Sequence, residues 1–183
     1  MLNTISGFLG GGGVATSYES ISTTTVSTPV SSITFSSIPS TYSHLQIRAI
    51  VRSTTANLYD NASLTFNSDT GANYAQHQLF GDGSTVSASS NINANNFEAI
   101  FNTSSTAIAN NFGFGIMDIL DYANTNKNKS ARGLTGFDKN GSGGFIVLRS
   151  GLWRSTAAVT SITLTSTAGN FAQYSSFALY GIK

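Results

Sequence analysis

The sequence contains no cysteine, and only 9% of its 183 residues are Asp, Glu, Lys or Arg. The missing cysteine excludes disulfides, zinc–thiolate clusters and thiol catalysis. It also favours synthesis in a reducing cytoplasm. Ordinary domains carry about 25% charged residues, so this surface gains little from charge repulsion, and its net charge is only +1. Such a chain suits a subunit held among neighbours better than a concentrated free monomer. The nine basic residues are scattered, which argues against general nucleic-acid binding. Their densest group, Lys127, Lys129 and Arg132, reads as a solvated loop. No window approaches the roughly 18 apolar residues of a membrane helix. The opening Met1–Leu9 lacks the basic start of a signal peptide.

What fills the sequence instead is serine, threonine and asparagine around short apolar runs, with 40% hydrophobic and 11% aromatic residues. Four consecutive glycines, Gly10 to Gly13, have nothing to pack and read as a flexible joint. Residues 1–13 are therefore expected to form an arm, with Ile5, Phe8 and Leu9 available to dock on a neighbour. Residues 14–183 are expected to form one domain.

That domain shows two-residue alternation throughout. The clearest run is His44–Arg52, with Leu45, Ile47 and Ala49 on one face and Gln46 and Arg48 on the other. Similar runs begin at Tyr18, Ser32, Ala62, Tyr74, Phe97, Ser130, Gly144, Ser161 and Ser175. In the apolar stretch from Asn111 to Tyr122, Gly113 and Gly115 argue for a closely approached strand over a helix. Asp138-Lys139-Asn140-Gly141-Ser142-Gly143 is a hairpin signal. Residues 84–110 are the least legible, and short helical turns are open at Thr106–Asn110 and Asn124–Lys129. Eight to ten strands with closely spaced turns predict an antiparallel β-sandwich, in its jelly-roll form. No fixed repeat points to a propeller or β-helix.

Candidate chemistry is sparse. His44 and His77 are the only histidines, no Gly-x-Ser-x-Gly elbow occurs, and both histidines read as strand residues. Asp118 and Asp121 resemble a hydrolytic carboxylate pair, but a strand-end cap or a lysine partner explains them better. Asp138-x-Asn140-x-Ser142-Gly143 matches half of a calcium loop, yet its last ligand position holds Arg149. A turn explains it, with a loose calcium site at a subunit junction as the alternative. Trp153, beside Arg154, suits either a strand-end core position or an interface anchor. No catalytic residue, metal ligand or cofactor is expected.

Four segments carry a family resemblance: Ser32–Arg48, Asp118–Lys127, Ser150–Trp153 and Asn170–Ile182. They are similar to small virion proteins of tailed bacteriophages, aquatic and marine ones especially, over about residues 17–183. The resemblance implies a particle component: a capsid decoration (cement) protein, a head fibre, or a small tail fibre. It implies a homotrimer made in the host cytoplasm and bound to capsid or tail proteins, without membrane insertion. On that basis Ile5, Phe8 and Leu9 are expected to dock the particle, and Trp153 and Phe171 to serve as interface aromatics. A rival reading makes the chain a receptor module that binds a host-surface glycan through Trp153 and Tyr174.

Overall fold

The computed structural model describes residues 17–139 and 143–183. Within them lie twelve strands: β1 Tyr18–Thr25, β2 Ser32–Phe35, β3 His44–Val51, β4 Tyr59–Phe66, β5 Tyr74–Gly81, β6 Val86–Ala94, β7 Phe97–Thr103, β8 Gly113–Leu120, β9 Lys129–Asp138, β10 Gly144–Trp153, β11 Ile162–Ser166 and β12 Ser176–Ile182. They form an eight-stranded sheet, ordered β1-β12-β3-β8-β9-β10-β5-β6, and a four-stranded sheet, ordered β2-β11-β4-β7. All strand pairs are antiparallel. The fold is an all-β sandwich.

Two hairpins account for the unequal sheets. β5–β6 and β9–β10 both join the large sheet beyond β8. Without them, β1-β12-β3-β8 faces β2-β11-β4-β7. The large sheet therefore overhangs β7, the edge of the small one, and β6 forms its own free edge.

The core follows from the alternation. β3 buries Leu45, Ile47, Ala49 and Val51, β12 buries Phe177 and Leu179, and β11 buries Ile162 and Leu164. Phe66, Tyr74, Phe97 and Trp153 interlock across the layers, with Trp153 at 5.4 Å from Phe66 and stacked 6.4 Å from Tyr74. Phe171 packs 4.8 Å from Phe177. On β8 the inward positions include both glycines; a Cβ on Gly115 would lie 2.8 Å from Ile100 Cγ1. Side chains are thus excluded where β7 crosses β8; there β8 turns Phe114 and Ile116 outward, while Met117 and Ile119 further along join the core.

Several expectations change. The least legible stretch holds β7, at the run read from Phe97, and also β6, which was not anticipated; the described residues carry twelve strands against the eight to ten expected. The two candidate helical turns are turns without helix. Arg52 shapes the first, donating to the carbonyls of Ile108 at 2.7 Å, Asn111 at 2.9 Å and Ala107 at 3.0 Å. Lys129 is not in a solvated loop. It is fully buried, and its Nζ donates to the carbonyls of Asn124 at 2.6 Å, Lys127 at 2.7 Å and Thr156 at 3.1 Å. Burial lowers its pKa. The proposed arm, with Ile5, Phe8 and Leu9, lies outside the described residues, as does the centre of the half calcium loop.

Candidate functional site

The distinctive surface is the outer face of the large sheet. A strand buried on one side alternates apolar inward with polar outward. Here the outward positions are apolar too. One cross-strand row runs Ile116–Leu134–Leu148–Leu79 through β8, β9, β10 and β5. Beside it lie Ile50 paired with Phe114, and Ile146 and Val86, both opposite Gly81.

These eight side chains are 38% to 73% exposed, and together they leave open about four whole residues' worth of surface. For one phenylalanine and seven aliphatic residues this amounts to several hundred Å². The largest apolar patch on a typical monomer is about 300–600 Å². A standard interface covers about 800 Å² on each partner.

The face is also shaped. Its β12–β3–β8 portion is hollowed by about 460 Å³, lined by Ile50, Phe114, Ile116 and Ala178 among others. Polar groups border it as a connected chain. Arg48 Nε donates to Gln46 Oε1 at 2.7 Å, and Gln46 Nε2 donates to Asp118 Oδ1 at 2.7 Å. Arg132 Nε then meets Asp118 Oδ2 at 3.0 Å. The Arg48 guanidinium also lies over the rings of Tyr18 and Tyr180, 5.5 and 5.3 Å from their centres. An apolar centre with a hydrogen-bonded border is the anatomy of an interface.

Residues singled out in the sequence scatter. Trp153 and Phe171 are core residues, 2% and 0% exposed, so neither offers a surface to a partner or glycan. The physical reason for Trp153 is its inward register on β10. Its Nε1 donates to Asp69 Oδ2 at 2.7 Å, a bond that, as the largest cause, holds the Asp69 pKa below its ordinary value. Tyr174 is 68% exposed on the β11–β12 loop, with a left-handed φ of 71°. His77 points outward from β5, while His44 Nδ1 accepts the Asp121 N–H at 3.0 Å. Asp121 pairs with Lys127 at 2.6 Å, and Asp118 with Arg132, as the strand-end reading expected. Among the described residues, no group of three or more His, Cys, Asp or Glu could hold a metal ion.

The outer face escaped sequence reasoning because its signal is an anomaly of phase. In the first half of Gly113–Leu120 the inward phase holds only Gly113 and Gly115, so Phe114 and Ile116 look like core residues although they face outward. Leu134, Ile146 and Leu148 each sit one position from the buried phase of their strand.

The class defined by this architecture is a two-sheet all-β sandwich with an unusually apolar outer sheet face. Compared with known proteins, the chain matches no family model, no curated protein and no solved structure.

Proposed function

We propose that this chain is a non-enzymatic structural subunit of a tailed-phage virion, working by association with copies of itself and with the particle. Capsid decoration is the first reading within that class. The apolar outer face of the large sheet carries the proposal, because eight exposed large apolar residues on one continuous sheet face form the centre that an interface of about 800 Å² per partner needs. The partner is another copy of the chain. In the polar border Arg132 is paired with Asp118, and Arg48 is held by Gln46 and the rings of Tyr18 and Tyr180, so the border is largely committed within one chain. Besides the hollow along β3 and β8, a second one of about 330 Å³ lies at Leu79 and Leu148, so side chains of a neighbour have two places to seat on this face.

The low charge supports the same reading. Contacts built from apolar burial and neutral hydrogen bonds depend little on ion pairs, so they persist in concentrated salt where charges are screened within a few ångströms. The strand arrangement supports a jelly roll. Along β1-β2-β3-β4-β7-β8-β11-β12 every connection changes sheet except β4 to β7, with the two hairpins as insertions. The virion assignment itself rests on the four segments that resemble phage proteins, which also suggest the trimer.

The test is oligomeric state at micromolar concentration by analytical ultracentrifugation. Wild type should sediment as a closed oligomer, a trimer first. Leu148→Lys should sediment as a folded monomer, because Leu148 is 54% exposed within one chain and a lysine there would be buried only on association. A wild-type protein that stays monomeric as concentration rises, or a Leu148→Lys oligomer, rejects this face as the interface.

A further inference from the structure

On the opposite, inward side of the same strands, the overhang of the large sheet past β7 opens a second cavity, of about 210 Å³. Its walls are aromatic. Tyr59 on β4 lies 4.5 Å from Phe101 on β7 and 5.5 Å from Phe145 on β10, while Phe101 and Phe145 meet edge-to-face at 5.2 Å. Tyr59 is 40% exposed, so the ring cluster reaches the surface.

Polar groups line the same space: Arg149, Glu98, Asn61 and Gln78. Arg149 is 7% exposed. Its Nη1 donates to Glu98 Oε2 at 2.7 Å and to the Glu98 carbonyl at 2.9 Å, and its Nη2 donates to Asn61 Oδ1 at 3.2 Å. Its Nε–H is buried and has no hydrogen-bond partner among the described residues. A buried donor left unpaired is uncommon and costly, so its presence calls for an explanation. A core position would be served more simply by leucine. A guanidinium held by a carboxylate and an amide, beside a cluster of rings that reaches the surface, is the equipment of a binding site.

We propose that this cleft binds one neutral saccharide ring. Three observations select that chemistry. Arg149 and Glu98 cancel each other, so a charged ligand would leave a net charge in a confined space. The rings offer an apolar surface on which the C–H face of a sugar can lie. Glu98, Asn61 and Gln78 supply acceptors and donors for hydroxyl groups around its edge. A purely apolar ligand would use the rings but strand the polar groups. The volume falls below the roughly 300–1,000 Å³ of pockets that enclose larger ligands, so it admits one ring, such as the terminal unit of a glycan. This inference does not rest on self-association. Leu79 and Leu148 face outward, while Gln78 and Arg149, one residue along, face the cleft.

The experiment is saturation-transfer NMR on the full chain with the methyl glycosides of glucose, galactose, mannose and N-acetylglucosamine. At least one should bind at millimolar strength. Tyr59→Ala and Gln78→Ala, both at half-open positions, should each weaken it about 5- to 10-fold, the worth of one contact of this kind. Gln78→Ala should melt near wild type; Tyr59→Ala, which takes a ring out of the cluster, should melt lower but remain folded at the temperature of the assay, and Leu148→Lys should bind unchanged. Glucuronate and glucosamine, the charged counterparts, should bind more weakly than glucose. No transfer from any of the four glycosides overturns the proposal. So does binding that survives both cleft substitutions, or a preference for a charged sugar.

Discussion

Replacing Lys129 with methionine should destabilise the protein by about 3 kcal/mol. Lys129 opens β9 opposite Trp153 on β10, and its ammonium ties the β8–β9 loop to the segment after β10 through three carbonyls. Hydrogen bonds to a charged donor contribute about 1.5–3 kcal/mol each, so the three are worth several kcal/mol in gross terms. Burying the ammonium offsets much of this, at several kcal/mol per ion. Methionine has nearly the same shape, so no cavity term enters. It removes the desolvation cost but leaves three carbonyls without a donor, at about 1 kcal/mol or more apiece. The partners here are neutral and remain after substitution, unlike the carboxylate of an ion pair that can be replaced along with its cation. For a chain of this length 1 kcal/mol corresponds to about 2–4 °C, so Tm should fall by roughly 6–12 °C. Trp153, the only tryptophan, reports the transition by fluorescence in heat or guanidinium. A Lys129→Met protein as stable as wild type, or more stable, would refute the reasoning. It would mean that the carbonyls reach water unaided and that the ammonium only fills space.

Two further outcomes are expected. The Asp69 carboxyl has a lowered folded pKa, caused first by the Trp153 indole and opposed by partial burial. Its contribution is therefore complete above its ordinary value of 3.8 and is lost as pH falls through the lower folded value. Asp69→Asn should flatten that acid limb of the stability curve, measured by Trp153 fluorescence; an unchanged limb would assign it to other carboxylates. Deleting residues 1–13 should leave a folded domain that no longer attaches to the particle, scored by co-sedimentation with particles lacking the protein. Retained attachment would remove Ile5, Phe8 and Leu9 from the docking role.

Strands with an apolar–polar rhythm were legible directly. Leu45, Ile47 and Ala49 face inward as their spacing requires, and so do Leu64, Phe66, Phe177 and Leu179. Gly113 and Gly115 were correctly read as points of close approach. Gly151 gave no such signal, although the Phe97 ring occupies the place of its missing side chain. Strand β6 stayed hidden because its residues are mostly small and polar on both faces. Such a sequence carries no period, and its pairing with β5 alone makes it a strand. Trp153 and Lys129 show the other limit. Composition leaves a tryptophan beside an arginine open between a core position and an interface, and assigns a lysine to solvent. Register and a ring of carbonyls decide otherwise, and both depend on residues distant in the chain. The two candidate sites share this property. The outer face and the cleft are each assembled from three or more strands by pairing that no local window contains.

The free edge of β6 has a consequence for the isolated protein. Nine residues from Val86 to Ala94 expose an unpaired row of amides and carbonyls without one charge or proline to discourage a newcomer. Their small, similar side chains set no strong alignment for an added strand. As a single chain in solution the molecule is thus open to association along one rim as well as on its outer face. Strand addition at that rim is indifferent to the buffer's salt, since backbone pairing answers to neither charge nor screening.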